Sequence, residues 1–489
     1  MSNNFKEKLI IKFKQNWIRN NVMTILLIAI LVTVFIALNL WIQSIDLAQI
    51  DVTENKIYSL TDDSKKMLKN INKEVKIYLW EYVEDSSVVD LIKQYCHENN
   101  NIKYEILTEE NNKEKVEKFG LEAGYQIVVV EVGENETILD GYSNFVTYDY
   151  TTGQEIDLTE QAISNAILNL IVDEKPKIYI LSGHGEYTTQ ELALLTTYLS
   201  NEAYEYESLN LLTVNKIPED CDNLLIMSPT SDLLQNEVNI ITEYINKGGN
   251  LILTRDTEEA GKQYPNFQKI LDLYGVSIEN GYVYETNQNL TVAGYPVIIM
   301  PTISAYNDIT KSIYSDGGFL VLPYAQKIKT VDDETATSLG VEFETIVNSS
   351  ESAYYVTDVS ASADKAIQNA EKGSVDIAVI ATKTITDESE ESKKSKLLVI
   401  GNGRFITDYT ITSSSYPLSY LGNNRDLILN GIARLTGRDG ALTIRKQMNS
   451  STYTPTEVQD KIVRLVIFGI PLLIIITGIV VWQKRKKKR

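Results

Sequence analysis

Cysteine and histidine are nearly absent. The 489 residues hold 2 Cys (Cys96, Cys221) and 2 His (His97, His184). Two cysteines cannot build a disulfide framework, and two histidines leave little for a zinc site. No metal and no cofactor is therefore expected. Basic charge is also short, with 46 Lys and Arg against 66 Asp and Glu and a formal charge of −20. That balance argues against a chain built to coat phosphate backbones, so no nucleic-acid partner is expected. The nucleotide fingerprints G-x-x-x-x-G-K-[ST] and G-x-G-x-x-G are missing from strand–helix junctions, as is the G-x-S-x-G elbow of serine hydrolases. Any ATPase activity would have to reside in another chain. Phenylalanine is scarce (10) beside tyrosine (29), whose flat ring and polar tip serve binding surfaces as well as core edges.

What is present is organised around two long apolar runs. Residues 22–45 carry no charge, and about 20 residues at 1.5 Å each cross a ~30 Å hydrocarbon core. No small-x-small cleavage site follows before Asp46, so an uncleaved anchor is expected rather than a signal peptide. A second uncharged run, Leu465–Trp482 within a span placed at 463–482, contains Pro471, which membrane helices tolerate at kinks. Residues 1–21 sum to +4 and residues 483–489 to +6, leaving −30 on the chain between. Basic flanks predict both termini cytoplasmic, with a large acidic extracytoplasmic part tethered at each end to the cytoplasmic membrane.

That outer part is expected to be α/β. Residues 46–157 read as β-α-β-α-β-β: VKIYLW (75–80), a helix over 88–96, IKYEIL (102–107), KEKVEKFGL, then two antiparallel strands around a GEN turn. This order resembles a thioredoxin-like module. EYVEDSS stands where redox members carry CxxC, which excludes disulfide exchange. Residues 158–440 read as a second, mostly parallel α/β domain, opened by a helix that Thr159 or Asp157 caps. Its strands are 177–183, 223–229, 250–256 and a late one at 396–407, with helices near 189–200 and 232–247. TDESEESKKSK (386–396) reads as a solvated loop, and 441–462 as a linker.

The motif LSGHGEY (181–187) follows a strand and precedes a helix, where doubly wound sheets place their ligand crevice. Ser182, Gly183, His184, Gly185 and Glu186 are therefore candidate ligand-binding residues, joined by Asp256, which ends the 250–256 strand on the same predicted crevice edge. The glycines allow close backbone approach, and His184 with Glu186 has acid–base capability. The plainer alternatives are a tight glycine turn with a packed histidine, and a loop-stabilising role for Asp256. Cys221 precedes its strand, the wrong side for an activated nucleophile.

Several segments together resemble GldG-type proteins, auxiliary components of ABC transporters named for gliding motility. They are IDVTENKIYSLTDDSKKMLKNINKEVKIYLW (50–80), TEQAISNAILNLIVDEKPKIYILSGHGEY (159–187), INKGGNLILTRD (245–256) and IPLLIIITGIVVWQKRKKK (470–488). The resemblance implies a thioredoxin-like module and an amidotransferase-like (Rossmann-like) domain shared with an intraflagellar-transport protein, without accepted enzymatic activity. Sugar binding has been suggested for that domain type. The amidotransferase cysteine is not found after the expected strand. The expectation is a non-catalytic accessory subunit whose spans meet a permease in the lipid, whose partners include P-loop ATPase subunits, and whose outer domain binds or gates a glycan, peptide or other substrate. The alternative is a membrane-tethered envelope protein that binds or hydrolyses glycans through the SGHGE loop.

Overall fold

In the computed structural model the chain divides into two units, Met1–Ser59 and Leu60–Arg489. The structure describes residues 60–148, 155–258, 262–315, 317–360, 363–386, 392–411 and 417–438, with a few isolated positions outside these ranges. Among the described residues no helix is long and apolar enough to cross a membrane. The segments expected to do so, 22–45 and 463–482, lie almost entirely outside the described residues, as do the basic tails and the linker 441–462.

The N-terminal part of the larger unit begins with helix α1 (Asp62–Lys69), whose N-cap Thr61 accepts from the Ser64 amide. Strand β1 (Val75–Trp80), helix α2 (Ser87–Glu98), strand β2 (Ile102–Leu107), helix α3 (Lys113–Phe119) and strands β3 (Ile127–Val132) and β4 (Asn135–Asp140) follow in the order read from the sequence. The sheet order is β2-β1-β3-β4, with β1 parallel to β2 and the other pairings antiparallel. Helix α4 (Thr159–Ile171) packs Ile163, Ala166 and Ile167 into the same core as Val128, Val130 and Leu139. Each fully buried Val or Ile side chain here contributes about 1.5–3 kcal/mol. The N-cap of α4 is Leu158, which has no side-chain acceptor, rather than Thr159 or Asp157; Asp157, one residue earlier, accepts from the Thr159 amide through Oδ1 at 2.8 Å.

A second sheet follows. Its strands are β5 (Lys177–Leu181), β6 (Glu205–Leu209), β7 (Cys221–Met227), β8 (Leu251–Thr254), β9 (Thr302–Ile303), β10 (Val341–Asn348), β11 (Asp376–Thr386) and β12 (Ser392–Ile400). They lie in the order β9-β10-β11-β12-β8-β7-β5-β6. The β12-β8-β7-β5-β6 half is parallel and the β9-β10-β11-β12 half antiparallel, so the sheet is mixed rather than chiefly parallel. Uninterrupted apolar runs such as Leu224–Met227 mark the parallel half, because both of its faces are covered. Helices α5 (Ala193–Asn201), α6 (Gln235–Asn246), α7 (Pro265–Asp272) and α8 (Asn424–Leu435) supply that cover. The charged run at 386–396 is only partly loop: Ser392–Lys396 belongs to β12 and pairs with Thr382–Thr386. Antiparallel pairing satisfies its backbone; Lys393 and Lys394 are exposed, while the half-buried Lys396 donates from Nζ to Arg434 O at 3.3 Å.

Candidate functional site

The carboxyl ends of β5, β7, β8 and β12 meet at one edge of the second sheet, and all six candidate residues stand there. Ser182 continues β5, its amide donating to Leu209 O at 2.9 Å and its hydroxyl donating to the same oxygen at 3.3 Å; the residue is half-buried, with the exposed Gly183 beside it. The chain then turns inward. His184 is only 4 % exposed and lies between two carboxylates. Its Nδ1 is 3.1 Å from Glu186 Oε1, and its Nε2 is 2.9 Å from Glu237 Oε2. The His184 amide donates to Glu186 Oε2 at 2.7 Å, and Phe267 meets the imidazole edge-on with centroids 6.4 Å apart. The hydrogen bond that Glu186 accepts from the imidazole, then the charge of both carboxylates, raises the His184 pKa above its ordinary value despite burial.

Glu237 was not legible as a partner. It sits at the third position of α6, where its carboxylate also accepts from the Leu234 amide at 2.8 Å. The sequence signal is an acid three residues beyond the start of the helix, an ordinary capping position with no hint of a distant histidine. The bridge therefore ties the loop after β5 to the N-terminus of α6. The backbone reinforces it: Thr230 and Ser231 amides donate to His184 O, both at 2.9 Å, and Tyr187 N donates to Met227 O. Gly185 has φ of +75°, and an added Cβ would overlap Thr230 Oγ1. Glycine here answers both a left-handed turn and a close approach.

Asp256 makes a second set of ties. Its carboxylate accepts from Gly403 N at 2.9 Å, Arg404 N at 3.1 Å and Tyr187 Oη at 2.6 Å. The loop after β12 is thus held to the end of β8 and to the SGHGE segment. Burial, then the Asp256 charge, pushes the Tyr187 phenol well above its usual range, which keeps it a donor. Gly403 packs so close to Ser228 that a Cβ there would overlap the serine hydroxyl. Ser228 itself holds a left-handed backbone, φ +52°, at the end of β7, and its Oγ lies 3.2 Å from Thr254 Oγ1. A strained serine at a strand end draws attention as a nucleophile, yet this one is buried beneath Gly403. Cys221 lies at the start of β7, and burial pushes its thiol up to about 11.

These features define a mixed α/β protein in which the loops at one sheet edge are cross-linked by the buried carboxylates of Glu186 and Glu237 and the half-buried one of Asp256. The chain belongs to the family described as an ABC-type uncharacterized transport system, whose model matches residues 175–431, over half its length; it is an auxiliary component of such a system. A domain of unknown function matches residues 54–143. No curated protein matches the chain. Among solved structures it is similar to the N-terminal domain of mmIFT52, at 12% identity and a TM-score of 0.37, over 53% of this chain and 97% of that one. A putative GMP synthase protein from Thermoplasma acidophilum matches at 10% identity and a TM-score of 0.27, covering 55% and 97%. A putative ThuA-like protein from Parabacteroides merdae matches at 10% and 0.30, covering 58% and 96%. At these scores none of the likenesses bears on function.

Proposed function

We propose that the chain is a non-catalytic, GldG-type auxiliary subunit of an ABC transporter, anchored in a bacterial cytoplasmic membrane by residues 22–45 and 463–482 with both termini inside. In this reading the two spans dock on a permease, separate ATPase subunits supply energy, and residues 46–440 bind or gate a substrate outside the membrane. That outer part comprises a thioredoxin-like module (46–157) and an amidotransferase-like domain (158–440). The observation that carries the reading, beside family membership, is the enclosure of His184. An imidazole with both nitrogens against carboxylates and 4 % exposure acts as a rivet between loop and helix. It is not presented to a substrate as an acid or base would have to be. The same enclosure weighs against the hydrolytic alternative. Within the proposal, Ser182 and Gly183 form the ligand-facing part of the loop, while His184, Gly185, Glu186 and Asp256 hold its shape.

The test is purification of the tagged chain in mild detergent from its own membranes, with co-purifying proteins identified and ATPase turnover measured. A permease and an ATPase in fixed ratio, with turnover that changes when residues 46–460 are deleted, is the expected result. Recovery of the chain alone across several detergents overturns the accessory role, and turnover indifferent to the deletion overturns gating.

A further inference from the structure

One end of the four-stranded sheet gathers exposed apolar side chains from three separate segments. Trp80 at the end of β1 pairs with Ile127 at the start of β3, which pairs with Asp140 at the end of β4. Beyond these pairs the chain stays stitched: Gln126 Nε2 donates to Glu81 O at 3.3 Å, and Gly141 N donates to Gln126 O at 2.7 Å. Val83, Tyr125 and Tyr142 follow or precede those bonded positions by one or two residues. They are 70%, 57% and 71% exposed. Single exposed apolar residues are commonplace, but three on adjoining loops at one sheet end form a patch of the kind interfaces use. Glu81 contributes a left-handed backbone, φ +61°, which turns the chain sharply between Trp80 and Val83.

The rim of this patch has one sign. Glu81, Asp85 and Glu122 are exposed and, among the described residues, make no ion pair. Lys93, on the helix that follows, is taken up by Glu84 and Asp90. Between Lys118 and Lys175 the sequence contains no Lys, Arg or His and eleven carboxylates. An apolar centre inside an unneutralised acidic rim is complementary to a basic surface that offers apolar tips, and it repels anionic lipid headgroups.

We propose that this end of the sheet, centred on Val83, Tyr125 and Tyr142, is a docking surface for a Lys/Arg-rich segment of a partner protein. The inference takes that partner to be a subunit of the transport system, and in that respect it rests on the function proposed above. Aromatic anchors supply the desolvated contact, while Glu81, Asp85 and Glu122 supply attraction and register.

A photoreactive benzophenone amino acid placed at position 83 or 142 of the full-length chain in its own membranes tests this, with the 96% exposed Tyr306 as the control position. The expected result is a protein adduct from 83 and 142 but not from 306, mapped to a segment rich in Lys and Arg. Its yield from position 83 should fall about tenfold or more in a Y125S/Y142S variant, as loss of interface anchors requires. It should fall about threefold or more in E81Q/E122Q, and with rising salt. All of these substitutions are at exposed positions, so folding is preserved. Adducts no stronger than at 306, or mapped to an acidic or neutral segment, overturn the docking surface. An adduct with a basic protein that is no transporter subunit supports the surface but overturns the transport partner. A stable permease–ATPase complex without adducts does the reverse.

Discussion

Replacing His184 by alanine should loosen one edge of the second sheet and leave the first sheet untouched. The substitution removes the imidazole that bridges the buried Glu186 and Glu237, and among the described residues nothing else pairs with both. Breaking a buried ion pair from one side costs about 3–5 kcal/mol. At 1.36 kcal/mol per decade, that is between about two and four orders of magnitude in a local opening constant. The reporters are the Thr230 and Ser231 amides, bonded to His184 O, and the Tyr187 amide, bonded to Met227 O. Hydrogen exchange, corrected for intrinsic rates, should accelerate there by at least about a hundredfold, while amides of β3 keep wild-type protection. The pH dependence follows from the raised pKa of His184. A group whose folded pKa is raised contributes fully below its unfolded value, about 6.5, and loses that contribution as pH climbs through the folded value. Wild-type protection at these amides should therefore decline on the alkaline side, and H184A should be flat there. Exchange in H184A within about threefold of wild type, with an unchanged pH profile, would refute the bridge as a stabilising element.

Other expectations follow from single contacts. Gly185→Ala forces a Cβ onto Thr230 Oγ1 in a left-handed turn and should destabilise by about 2–3 kcal/mol, partly relieved by Thr230→Ala, as chemical denaturation will show. Asp256→Ala strips acceptors from Gly403 N, Arg404 N and Tyr187 Oη, and should cost about 1–3 kcal/mol with faster exchange confined to residues 403–405 and the SGHGE loop. Glu160→Ala removes the carboxylate that accepts from Thr61 N, Thr61 Oγ1 and Ser64 Oγ, so limited proteolysis should cut near α1 far sooner than in wild type. The Cys221 thiol, pushed to about 11 by burial, should alkylate about a hundredfold more slowly at pH 8 than the same thiol in urea.

Much of the architecture was legible because it rests on short-range pattern. Apolar runs such as Leu224–Met227, bounded by polar turns, announce buried strands, and the helical spacing of residues 88–96 announces α2. What escaped is non-local. Nothing near Glu237 points to His184, 53 residues away, and an acid in the first turn of a helix has an ordinary reason to be there. The β11–β12 pairing escaped for a related reason: Lys393 and Lys394 read as loop, but a strand whose partner satisfies the backbone can carry lysines at its solvent end. Asp256 was visible as a strand-end acid, whereas its use as acceptor for the loop about 146 residues later depended on the mixed sheet, which brings β12 beside β8.

The two sets of ties at the sheet edge bear on how such a domain works. A reaction centre needs a reactive group with access and freedom to exchange protons, and His184 has neither. Rigid loops fixed to helix α6 and to the end of β8 are instead suited to presenting a constant surface. The tie from Asp256 to Tyr187 joins the two sets, so displacement of the loop after β12 pulls on the segment that His184 anchors. Motion imposed at one strand end is therefore shared by its neighbours rather than absorbed locally, because packed, hydrogen-bonded elements move as units. An accessory protein that must relay whether something has docked gains from that stiffness. Softening either tie should reduce coupling before it reduces folding, so under the proposed function Asp256→Ala should lower the stimulation of transporter ATPase by residues 46–440 at temperatures where hydrogen exchange outside residues 182–187 and 401–405 is still that of wild type.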